Sequence, residues 1–142
     1  MCWPLSSDWP SSSTARARPP SVRLAWRKVA AWAAKRDEFV RRAAFALLCA
    51  LAVHDKAADD AAFIATLPWI EDAATDERNF VKKAVNWALR SIGKRNAALN
   101  AEAIACAQRL RTLDSRAARW VAADALRELQ SDAVQARLAA RR

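Results

Sequence analysis

Residues 78–96, RNFVKKAVNWALRSIGKRN, decide how this chain folds. At about 100° per residue, Phe80, Val81, Ala84, Val85, Ala88, Leu89 and Ile92 gather on one face of a helix. Trp87 stands at the edge of that face. Lys83, Arg90 and Lys94 surround it at helical spacings of four, three and seven. An indole within a row of cations suits a nucleic-acid backbone better than it suits a core. Gly93 is the only glycine in the chain and falls where a C-terminal cap favours a left-handed residue, so the helix is expected to end there.

Composition supports helices elsewhere too. Of 142 residues 54% are apolar, enough for one domain with a real core. Alanine is abundant, glycine occurs once and tyrosine is absent, a bias away from strands. Lys and Arg number 24 against 15 acids, a net charge of +9. That surplus favours polyanions, nucleic acid before an anionic membrane surface, although a solvated basic surface with no dedicated partner has the same composition. Cys2, Cys49 and Cys106 form no metal or redox spacing, and the last two sit in apolar helical runs as buried thiols. No metal ligand set, phosphate loop or Ser/His/Asp set is present, His54 receives no role, and no cofactor is expected. No apolar run reaches the roughly 18 residues of a membrane span.

Residues 1–21 hold four of the five prolines and six serines, and are expected to be disordered, leaving 22–142 as the helical domain. Helices are expected near 22–35, 38–54, 59–74, 78–96, 101–112, 116–130 and 132–141, with Asp37 capping the second and Asp114 or Ser115 the sixth. Val22, Ala25, Val29 and Trp32 mark the inner face of the first, with Trp26 nearby. The second is apolar nearly all round, Phe39 and Phe45 included, and is expected to be central. Its polar exceptions are Arg41 and Arg42. Pro68 should kink or split the third. Residues 55–77 carry seven acids and one base, Lys56, a poor surface for DNA.

The chain repeats itself. DEFVRRAAFALL at 37–48 aligns with RNFVKKAVNWAL at 78–89, an offset of 41, and a weaker copy in 116–130 aligns at 37. A period near 40 predicts an all-α, HEAT- or ARM-like superhelix of stacked helical pairs, the second helix of each pair lining one shared surface. In this register Arg42, Lys83 and Trp120 are equivalent, as are Ala46, Trp87 and Asp124. A ladder of Arg42, Lys83, Trp87, Arg90 and Lys94 is expected along one groove, with Arg41 and Trp120 as further contacts.

FVRRAAFALL, FVKKAVNWALRSIGKRN and ARWVAADALREL together resemble the DNA alkylation repair proteins, the HEAT-like alkylpurine DNA glycosylases, over about residues 23–130. The resemblance implies a superhelix that grips double-stranded DNA and hydrolyses the N-glycosidic bond of N3- and N7-alkylated purines, an activity of the cytoplasm and nucleoid. It makes Trp87 the wall facing the lesion's deoxyribose and Arg42 and Arg90 DNA contacts. The family's catalytic aspartate belongs to a tryptophan–aspartate motif upstream of the matching region. Asp8–Trp9 does not reproduce it, and Asp124, in register to face the groove, is expected to pair with Arg127 or to cap locally. The chain is therefore expected to be the C-terminal half of such an enzyme without its catalytic segment, and to self-associate through an exposed end that includes Trp26 and Trp32. The competing reading is a non-catalytic protein-interaction scaffold.

Overall fold

The computed structural model describes residues 19–141, and every regular element among them is an α-helix. In order these are α1 (Pro20–Trp32), α2 (Glu38–His54), α3 (Asp60–Ile64), α4 (Leu67–Ala73), α5 (Asn79–Gly93), α6 (Ala97–Arg111), α7 (Arg116–Leu129) and α8 (Asp132–Ala140). Local sequence explains the boundaries. Asp37 accepts from the backbone N–H groups of Phe39 and Val40 to start α2, and Asn96, Ser115 and Ser131 cap α6, α7 and α8 in the same way. Pro68 sits in the first turn of α4, where its missing N–H is harmless, so the expected third helix is split in two. The expectation for residues 1–21 falls outside the described residues except at Pro19–Ser21, and there Pro20 and Ser21 already open α1.

The pairs α1–α2, α3/α4–α5 and α6–α7 stack so that α5 lies between α2 and α7. Their inner sides form one continuous core that includes Phe45, Leu48, Val81, Leu89, Ile92, Val121 and Leu129, all buried. Trp26 is in this core too. Its ring meets Phe63 edge-on at 5.0 Å, and its indole N–H donates to Asp55 at 2.7 Å. The exposed end expected around Trp26 is therefore closed over that residue, while Trp32 is half-buried with Lys28 over its ring.

Many polar contacts between helices join residues one repeat apart. Asp60 accepts from Asn96, Glu71 from Arg109, and Glu77 from the hydroxyl of Ser115 and the backbone N–H of Ala117. Those last bonds, Ala117 first, hold the Glu77 carboxyl below its usual range. The acidic stretch 55–77 thus staples one repeat to the next. Asp60, Glu71 and Glu77 are turned to the first helix or cap of the next repeat, while Asp72 and Asp76 hold Arg41 of α2.

Candidate nucleic-acid interface

On α5 the buried residues Val81, Ala84, Val85, Asn86, Ala88, Leu89, Ile92 and Gly93 take up the sides packed on α2, α6 and α7. The strip left uncovered carries Phe80, Lys83 and Trp87, with Arg90, Ser91 and Lys94 half-buried further along. The same face of α2 adds Phe39 and Arg42, and α7 adds Trp120. Trp87 and Phe39 are each 60% exposed. Aromatics this exposed stand outside the core that the rest of α2 and α5 build.

The residues expected on the groove divide into three groups. Arg42 and Lys83 are exposed and have no carboxylate at ion-pair distance among the described residues. Arg42 lies over the Phe80 ring at 5.5 Å, and Phe80 in turn leans on Phe39 at 6.1 Å. Trp120 is exposed, with Lys82 over its ring at 4.8 Å. Trp87 has neither a ring nor a cation stacked on it among the described residues, so its indole face is free to stack.

Arg90 and Lys94 do not crowd Trp87. Both turn to α7, where Glu128 takes two donors of Arg90 and the Lys94 ammonium at 2.5 Å. Burial pushes the Glu128 carboxyl up, but Lys94 and Arg90 together outweigh it and hold it low. Asp124 accepts from Asn86 Nδ2 at 2.7 Å, from Arg127 at 2.5 Å and from Arg90 at 3.4 Å; Asn86 leads in holding this carboxyl below its usual range. The pairing of Asp124 with Arg127 is as expected, and Asn86 and Arg90 complete it.

Arg41 does not project onto the strip. Its side chain, 15% exposed, donates to the carbonyl of Ala33 and to Asp76 at 3.0 Å, with Asp72 at 3.5 Å. It joins α1, α2 and the acidic linker, which accounts for a cation on an otherwise apolar helix. The Arg78 guanidinium and backbone N–H, with Arg41, overcome the cost of burial and hold Asp76 at about 2, against 3.8 for a free side chain. A carboxyl more acidic in the folded than in the unfolded chain adds stability at neutral pH, and that contribution disappears as pH falls through the two values. Lowering the pH from 4 to 2 is therefore expected to remove about 1–2 kcal/mol through this one group. Asp76→Asn should flatten that part of the stability–pH profile, as read by denaturant unfolding at each pH.

Sequence reasoning placed Phe39 and Phe80 in the core, and the structure places them in the open. Each begins the first turn of its helix, where the neighbouring helices no longer cover the rim. Their alignment in the two FV pairs was the available signal. Cys106 is buried as expected, and burial pushes its thiol up to about 12, whereas Cys49 is half-buried with its sulfur 3.2 Å from Ser91 Oγ.

A sequence model of the DNA alkylation repair enzyme family matches residues 21–129, which takes in the strip and every helix that builds it. The chain belongs to that family. No curated protein and no solved structure gives a match. Membership gives the chain a role in DNA alkylation repair, and the uncovered faces of α2, α5 and α7 lie wholly inside the region that carries it. The helix α8 follows the matched region. Among the described residues, no helix is long and apolar enough to cross a membrane.

Proposed function

We propose that the chain binds alkylated double-stranded DNA along the strip formed by α2, α5 and α7, with Trp87 stacked against the sugar or base of the damaged nucleotide. The observation that carries this is the open indole of Trp87 beside Lys83 and Arg42, cations with no carboxylate at ion-pair distance among the described residues. Phosphates supply the missing counter-charge. An N3- or N7-alkylpurine is cationic, so an aromatic face attracts it by cation–π interaction as well as by stacking.

Excision would break the bond between C1′ and the purine nitrogen, leaving the electron pair on the purine while water adds to C1′. Positive charge grows on the sugar, and an ionised carboxylate beside it lowers the barrier. Asp124 is the carboxylate that the repeat register sets on the helix next to Trp87, and it is ionised at neutral pH. Its oxygens are engaged by Asn86, Arg90 and Arg127, which reduce the field it can direct at a substrate. The supported reading is therefore DNA recognition by this chain, with excision tested separately.

Incubating the protein with methylated duplex DNA and measuring free 7-methylguanine decides the second point. Release that Asp124→Asn abolishes would make Asp124 the carboxylate of the reaction. No release, with tight binding to the same duplex, leaves the chain as the recognition element. Failure to bind methylated duplex at low salt would overturn the proposal, and capture of an acidic protein by the same strip would replace it with the scaffold reading.

A further inference from the structure

A cleft of about 480 Å³ opens where the C-terminal ends of α2 and α5 meet the start of α6 and the end of α8. Five cations line it, Lys56, Lys94, Arg95, Arg137 and Arg141, together with a serine and an asparagine and, among the described residues, no acidic side chain. Of the five, Lys94 alone reaches a carboxylate among the described residues, Glu128, at ion-pair distance. Like charges gathered within a Debye length of about 8–10 Å repel one another unless something neutralises them.

Two of the cations are held in place by groups that leave their charge intact. Arg95 spreads its guanidinium over the carbonyls of Ala52, Asp55 and Ala58 at 2.8, 3.2 and 3.1 Å, with the Phe63 ring 4.3 Å beneath. Burial pushes its pKa down, against the pull of Asp55 and Asp60 behind it, so the fold holds this cation at a cost. Arg141 donates to the carbonyls of Lys94 and Arg95 at 3.2 and 3.1 Å. The Arg95 bonds occupy carbonyls at the end of α2 and the Arg141 bonds occupy carbonyls just past the end of α5, groups that would otherwise repel an anion. The side chains of Lys56 and Arg137 are exposed and have no partner among the described residues, so the fold does not need them. Asn96 on the cleft wall caps α6, and that N-terminus adds a partial positive charge.

We propose that this cleft is a phosphate-binding site. Three guanidinium groups and two ammonium groups suit a tetrahedral, multiply charged oxyanion better than a lone carboxylate. The phosphate comes from one of two sources. Ser91 and Lys94 continue the strip of Trp87, Lys94 lying about 10 Å further along α5. A duplex on the strip would therefore bring backbone phosphates toward the cleft, and this source rests on the duplex-binding proposal. The other source is a free phosphate-bearing ligand, and the site itself does not depend on DNA. Arg137 and Arg141 lie beyond the residues that the family model matches, so the cleft adds to what membership implies.

Inorganic pyrophosphate titrated into the isotopically labelled chain should move the amide resonances of Ser91, Arg95 and Asn96 to saturation. The double variant Lys56→Glu/Arg137→Glu should lose those shifts and keep its melting temperature. Lys35→Glu/Arg36→Glu carries the same charge change away from the cleft and should retain them. No shift in the wild type, shifts that survive the first variant, or shifts lost equally in the second would each overturn the site, whatever DNA does. Salt titration of duplex binding then names the source. A log–log slope reduced by roughly 0.9–1.8 in the cleft variant assigns a backbone phosphate, and an unchanged slope assigns a free ligand.

Discussion

Trp87→Ala is expected to weaken binding of methylated duplex DNA roughly ten- to a hundredfold, because an aromatic stacked on a base contributes about 1–3 kcal/mol. Folding should barely notice. The ring is 60% exposed and, among the described residues, no ring or cation is stacked on it, so the stability change should stay within about 0.5 kcal/mol. Arg42→Ala should act differently. It removes a phosphate partner, so affinity should fall most at low salt and the log–log salt slope should lose about 0.9, whereas Trp87→Ala should leave the slope unchanged. Glu71, paired with Arg109 away from the strip, is the control, and Glu71→Ala should leave binding unaltered. Equal affinities for all four proteins across a salt titration would remove the strip from the interface. A loss in Trp87→Ala accompanied by a large drop in melting temperature would make the tryptophan a packing residue.

The fold was legible in the sequence because repetition makes one pattern do the work of several. Once 37–48 and 78–89 are aligned, each copy supports the other's helix, and α2, α5 and α7 become neighbours with no structure in hand. The cap residues Asp37 and Ser115 were readable for a local reason, since an N-cap lies within three residues of the N–H groups it serves. Burial at a rim was not readable. Phe39 and Phe80 have the same chemistry and helical spacing as core residues, and only the absence of a covering neighbour exposes them. Charge was misjudged for a similar reason. Arg41 and Arg42 are adjacent, but one step of about 100° turns the first onto Asp76 and leaves the second in solvent. The cleft cations Lys56, Arg95 and Arg137 are about 40 residues apart and gather only through stacking.

Gly93→Val is expected to destabilise the chain by about 3 kcal/mol, the upper end of overpacking costs. The sequence suggested a left-handed cap at Gly93, but its φ is not positive, and it closes α5 as an ordinary helical residue. What requires glycine is contact. A Cβ placed there would lie 2.6 and 2.8 Å from the two terminal methyls of Leu129 and 3.0 Å from the Cβ of Ala103. Alanine can be accommodated in part by rotating Leu129, and the better helix propensity of alanine offsets up to about 1 kcal/mol, so Gly93→Ala should be the milder change. Valine adds two methyl groups that must push α7 or α6 away. The displacement reaches the strip, because Glu128, beside Leu129, orients Arg90 and Lys94. Chemical denaturation of Gly93→Ala, Leu129→Ala and the double variant tests the cause. If the clash with Leu129 is the origin, the double variant should be more stable than the two single losses summed, by about 0.5–3 kcal/mol. Strict additivity would show that Leu129 is not what excludes a side chain at Gly93.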